Sequence, residues 1–116
     1  MLWQTDRTWG ASMILTTSND IAGRNVKQYL GIVRGVVVRS PSITQGMLGG
    51  LKQIVGGNIE SYAKMCDQAR QHAFDRMVEH ANQLGADAVI AVRYDATDIG
   101  QNITEVLAYG TAVKLG

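Results

Sequence analysis

The sequence predicts an α+β domain: a four-stranded, mostly antiparallel sheet with one long helix across a face and a shorter helical insertion. Three observations carry this. Residues 29–39, rich in valine and isoleucine, and residues 103–115 are strand-length runs with apolar residues on both faces. Residues 58–84 repeat their apolar positions at helical spacing. The predicted elements follow the order β, β, α, α, β, β, which suits a layered sheet and helix rather than alternating parallel units.

Residues 1–12 read as an N-terminal tail ahead of a domain spanning 13–116, and they hold both tryptophans, Trp3 and Trp9. Residues 13–17, ending in Thr16 and Thr17, form the first strand, and Ser18, Asn19 and Asp20 turn the chain. Residues 21–27 read as a short helical turn or loop with Gly23 at its tight point. The next strand, 29–39, contains Gly31 and Gly35, positions for a bulge or a close backbone approach. Ser40 and Pro41 end it, and 43–55 has the spacing of a short amphipathic helix interrupted by glycines.

In the long helix, Ile59, Tyr62, Cys66, Ala69, Ala73, Met77 and Leu84 gather within about 80° of azimuth, with Ala63, Phe74 and Ala81 beside them. Gly85 supplies the stop. Residues 88–94 form a third strand, the polar stretch 95–102 a hairpin connection, and Ile103–Leu115 the last strand. One sheet face takes the helix. The other lacks cover, and a neighbouring copy of the chain is its simplest source.

The chain has 116 residues, enough for one core and too few for two ordinary domains. Eleven basic residues against ten acidic ones argue against nucleic acid or an anionic membrane as partner. A charged fraction of 18% is low for a fully wetted surface and points again to an interface. No apolar run reaches the roughly 18 residues of a membrane span, and the start lacks the pattern of a secretion signal. Together with one cysteine, this predicts an intracellular protein.

Catalytic and nucleotide-binding signatures are absent: there is no GxGxxG and no GxxxxGK[ST]. Candidate metal ligands lie on the long helix. His72 and Asp75 are three apart and Asp75 and Glu79 four apart, so each pair shares a helix face. His72 and Glu79 stand about 10 Å apart along the axis, so one ion in one chain takes at most two of the three. Ligands shared between copies would make a real site for a divalent metal ion. Cys66, inside the apolar stripe, reads as a buried and inert thiol, and His80, at its edge, as a packed or interfacial residue. Asp95 and Asp98 form a possible carboxylate pair across the hairpin. Arg34 and Arg93 break apolar runs and must reach solvent, an edge or a partner carboxylate.

These segments resemble the YbjQ-like family of small uncharacterised bacterial proteins, whose descriptive name refers to heavy-metal binding. The likeness rests on Thr16-Thr17, on Tyr29-Leu30-Gly31-Ile32-Val33 with Gly35, on Ile54-Val55-Gly56-Gly57 leading to Ser61-Tyr62, on Leu84-Gly85-Ala86-Asp87-Ala88-Val89, on Gly100-Gln101 and on Gly110-Thr111-Ala112-Val113-Lys114. It spans about residues 14–114. The resemblance implies a dodecin-like β-α-β-β core with an extra early strand and a helical insertion, assembly as a homopentameric ring, and a bacterial cytoplasmic setting. The function expected is that of a homo-oligomeric structural or small-ligand-binding module without catalysis, the ligand being unspecified. The alternatives are a metal-binding protein with His72, Asp75 and Glu79 shared between subunits, and a small-molecule enzyme with an intersubunit site.

Overall fold

A computed structural model describes residues 13–39, 59–100 and 103–116. The expected tail with Trp3 and Trp9, the short helix over 43–55 and the cap at Asn58 lie outside these described residues. The elements are β1 (Ile14–Leu15), β2 (Val26–Arg39), α1 (Ile59–Gln83), β3 (Ala88–Gly100) and β4 (Ile103–Leu115). They form one sheet in the order β1-β3-β4-β2. β4 pairs antiparallel with both β2 and β3, while the two-residue β1 lies parallel to β3.

Alternation along β4 sorts the core. Val106, Ala108 and Ala112 face α1 and are buried with Val33 and Val37 of β2 and Val89 and Val92 of β3. From α1 they receive Ala69, Ala73, Phe74, Met77, Val78 and Ala81. The buried arc of the helix is therefore wider than the expected stripe, because Val78 joins it. Small residues let the layers approach. Gly35 lies where a Cβ would meet the Ala73 carbonyl oxygen and the Met77 nitrogen of α1. The helix ends as expected at Gly85, whose φ of 75° permits the αL cap. There the Gly85 and Ala86 amides donate to the Asn82 and Ala81 carbonyls at 3.0 and 3.1 Å.

Residues 21–24 form a tight turn, not a helical one: the Arg24 amide donates to the Ile21 carbonyl at 3.1 Å and Gly23 takes φ 78°. This segment helps cover one end of the second sheet face, where Ala88, Ile90 and Val113 are buried against Ile14, Ile21, Val26 and Leu115. Among the described residues no other element covers the rest of that face. Row by row across β2, β4 and β3, the face runs from Ile32, Thr111 and the buried Ile90 to Arg34, Tyr109 and Arg93, then Val36, Leu107 and Asp95, then Val38, Glu105 and Thr97.

Two departures follow from backbone pairing. β3 does not stop at Tyr94. It continues to Gly100, because Asp95, Ala96, Thr97 and Asp98 pair with Leu107, Val106, Glu105 and Thr104. A ladder satisfies backbone groups whatever the side chains, so a wetted edge strand accepts a polar sequence. A bulge also interrupts β3: Ile90 opposes Thr111 and Arg93 opposes Tyr109, leaving two residues opposite Gly110. Ala91 takes φ 54° there, and the Ala91 and Val92 amides donate to Ser18 and Thr16 carbonyls at 2.8 and 3.0 Å.

Candidate functional site

β2 is an outer strand, so its outward backbone groups need partners. In its C-terminal half α1 provides them. The Arg34 amide donates to His80 Nδ1 at 3.3 Å, and Arg76 Nη1 donates to the Val36 carbonyl at 2.7 Å. Arg39 Nη2 contacts His72 Nδ1. His72, Arg76 and His80 follow one another at four-residue spacing and form one column along the edge. An imidazole that accepts at Nδ1 is neutral and carries its proton on Nε2. The sequence reading of His80 as a packed histidine fits this contact.

Beside the column lies an open cleft of about 860 Å³, walled by Val36, Val37 and Val38 and rimmed by Arg39, His72, Asp75 and Arg76. Asp75 is half-buried and accepts from Gln71 Nε2 at 2.8 Å. The rim holds two guanidinium groups and one carboxylate, a balance that suits a small anion better than a bare cation. The Arg39 Nε is buried without a hydrogen-bond partner among the described residues. Arg76 carries no signal as an isolated residue, but its spacing from His72 and His80 marks it.

Of the expected metal ligands, His72 and Asp75 rim this cleft, and Glu79, one turn further along α1, is exposed and outside it. Among the described residues no three of His, Cys, Asp and Glu gather as a metal site. The Arg39 guanidinium already engages His72, and Arg76 stands beside it. Within one chain, these residues do not fit a heavy-metal ion.

Asp95 and Asp98 do not converge. Three apart in an extended strand, they point to opposite faces, and Asp98 accepts from Thr104 Oγ1 at 3.0 Å. Cys66 corrects the expectation of a buried thiol: it is exposed. It borders a second cavity of about 240 Å³ with Met65, Arg70, Ala96 and Thr104, near the far end of the sheet. Arg34 and Arg93 both reach the open face, and Arg93 donates to the Thr17 and Val92 carbonyls at 3.0 and 2.9 Å. Tyr94 faces the helix side, its ring stacked 6.5 Å from that of Phe74. Burial pushes its hydroxyl above the usual pKa of 10.0; nearby Arg70 opposes this and Asp75 adds to it.

The site thus defines an α+β domain with a polar, edge-capping column and an open sheet face, and no described cluster of catalytic type. The chain belongs to the YbjQ family, whose model, described as "Putative heavy-metal-binding", matches residues 13–116. It is 60% identical over 102 residues to a UPF0145 protein of Legionella pneumophila, covering 88% of this chain and 97% of that one. It is 50% identical over 103 residues to a UPF0145 protein of Francisella tularensis, covering 87% and 97%. In fold it is similar to a Pediococcus pentosaceus protein of unknown function from the DUF74 family, with TM-score 0.59 and 21% identity over 90% of this chain and 98% of that one. Among the described residues no helix is long and apolar enough to cross a membrane.

Proposed function

We propose that the chain is a homo-oligomeric binding module, a ring of copies that holds a small ligand at a subunit boundary and carries out no catalysis. The observation that supports this is the open sheet face. The chain's own helix covers the other face, yet here Ile32 is 72% and Tyr29 68% exposed, and Tyr109 and Val38 further along the face are exposed as well. Large apolar side chains exposed on one sheet face mark an interaction surface. The cleft rimmed by Arg39, His72, Asp75 and Arg76 is the place for the ligand, and its charge favours a small anion. Five copies is the number the family resemblance implies. In this reading the module works in the cytoplasm, with neither nucleic acid nor membrane as partner.

Native mass spectrometry of untagged protein, purified without added metal or chelator, tests it. One assembly of several chains is the expected result, and excess mass per subunit would identify a carried ligand. A monomer at every concentration overturns the reading.

A second reading, metal binding with His72, Asp75 and Glu79 shared between copies, draws on the family's description and on two of the three residues rimming one cleft. Titration of the assembled protein with Zn²⁺, followed by calorimetry, decides it. Binding lost in His72→Ala supports it, and no heat of binding removes it.

A further inference from the structure

This inference rests on the homo-oligomeric reading and concerns which surfaces meet. The sheet has two outer edges. On β2, α1 caps the backbone at Arg34 and Val36. The N-terminal half has no such cap among the described residues. That half carries the exposed Tyr29 and Ile32, and its exposed charge is Lys27, with Arg24 in the preceding turn and Arg34 at the start of the capped half.

The opposite edge is the distal half of β3. β1 pairs with only Ala88 and Val89. Ala91 and Val92 still meet the segment after β1. From Arg93 to Gly100 the outer backbone has no partner strand among the described residues. This stretch is exposed along its whole length. It carries Tyr94 at 48% and Ile99 at 55% exposure, with Asp95 and Asp98. Arg93, at its start, is turned back onto the Thr17 and Val92 carbonyls, so the charge offered outward is that of the aspartates.

Each edge therefore presents one tyrosine, one isoleucine and backbone without a partner strand among the described residues, with cations on β2 and anions on β3, where the Asp95 carboxylate accepts from the Ala96 amide at 2.9 Å. We propose that the distal β3 edge of one copy docks on the N-terminal half of β2 of the next, head to tail. Strand backbone supplies hydrogen bonds, the tyrosines and isoleucines supply apolar contact, and Asp95 and Asp98 meet Lys27 and Arg34. Pairing either edge with itself would set like charges together. Because the two edges differ, the contact is heterologous, and each docked copy leaves one edge of each kind free until a ring closes.

Sedimentation velocity on four chains tests this. Asp95→Lys with Asp98→Lys, and Lys27→Glu with Arg34→Glu, each make both edges one sign. Each double variant is expected to need at least about tenfold more protein to assemble than the wild type. A 1:1 mixture of the two regains association, and so does the chain carrying all four substitutions, in which the charges have changed places. If the wild type assembles and either double variant assembles equally well, the edge assignment is overturned while the oligomer stands. It is also overturned if both doubles are monomeric and neither the mixture nor the fourfold chain associates. A monomeric wild type instead removes the oligomeric reading itself. Should a reversed chain lose the wild-type circular dichroism, Asp95→Asn with Asp98→Asn takes its place. Assembly weakened several-fold supports the docking, and unchanged assembly refutes it.

Discussion

Gly35→Ala tests the packing on which the whole layer depends. The added Cβ would fall on the Ala73 carbonyl oxygen, 2.5 Å from the Met77 nitrogen and 2.8 Å from the Arg76 Cβ. Two of these three atoms are helix backbone, which no rotamer change can move aside. Relief requires α1 to lift from β2 by about 1 Å, and a gap of that size forfeits a quarter to a half of each dispersion contact across it. The contacts at stake include those of Ala73, Met77, Val78 and Ala81 with the sheet. Overpacking of a close core costs about 1–3 kcal/mol, and a clash with backbone belongs at or above the top of that range. We expect a loss of roughly 3 kcal/mol, a fall in Tm on the order of 10 °C. Urea unfolding followed by circular dichroism, at matched protein concentration, reads it directly. Gly100→Ala serves as control, since among the described residues its new Cβ meets the Ile103 side chain, nearest at Cδ1 at 3.3 Å, and no backbone. A Gly35→Ala chain within about 0.5 kcal/mol of wild type, no worse than a typical surface substitution, would refute the close approach of helix and strand.

Gly85→Ala keeps the helix but forces alanine to φ 75°, and should cost about 1–2 kcal/mol by thermal unfolding. Arg76→Ala removes the donor from the Val36 carbonyl; we expect about 0.5–1.5 kcal/mol lost in urea titration, together with more light scattering on storage as the β2 edge opens. Met77→Ala empties a fully buried site and should cost about 2–5 kcal/mol, with the urea m-value unchanged. Tyr94 has its folded pKa above 10.0, so the folded state holds its proton longer than the unfolded state. Its contribution to stability is complete below pH 10.0 and is lost as pH rises through the raised value. Tyr94→Phe should therefore lose less stability than wild type between neutral and strongly alkaline pH, and parallel losses would contradict the burial.

Much of the architecture was legible because it is periodic. β4 occupies the residues its alternation predicts, and α1 ends at Gln83, one residue before the Leu84 read from the sequence. Gly85 was legible as a stop because few residues accept its conformation. Elsewhere, periodicity gives a direction without an extent. Cys66 has the azimuth of a core residue, yet described burial on α1 starts at Ala69, so the thiol stays wet. The polar run after Tyr94 looked like a connection because side-chain pattern does not report which backbone groups find partners across the sheet. The column of His72, Arg76 and His80 was visible only as spacing. Its purpose depends on β2 being an outer strand, and strand order is a long-range property. The expected ligand set of His72, Asp75 and Glu79 shares a helix surface, but the structure gives the first two a cleft with arginines in it.

The bulge at Ala91 and Val92 divides β3 into two stretches that answer to different constraints. Because of the extra residue, Ile90 and Arg93 lie on the same face although they are three apart. Up to the bulge, a substitution disturbs buried packing on one side or the other: Ala88, Val89 and Ile90 are all buried. Past it, every position from Arg93 to Gly100 is exposed. If the same residues paired without the bulge, Arg93 and Asp95 would turn toward the helix and Tyr94 away from it, whereas a chain one residue shorter here would keep their faces as a regular strand. The bulge therefore sets which side chains of the outer stretch face the helix and which face away, and the exposed half of this strand can change its surface without redesigning the buried half that supports it.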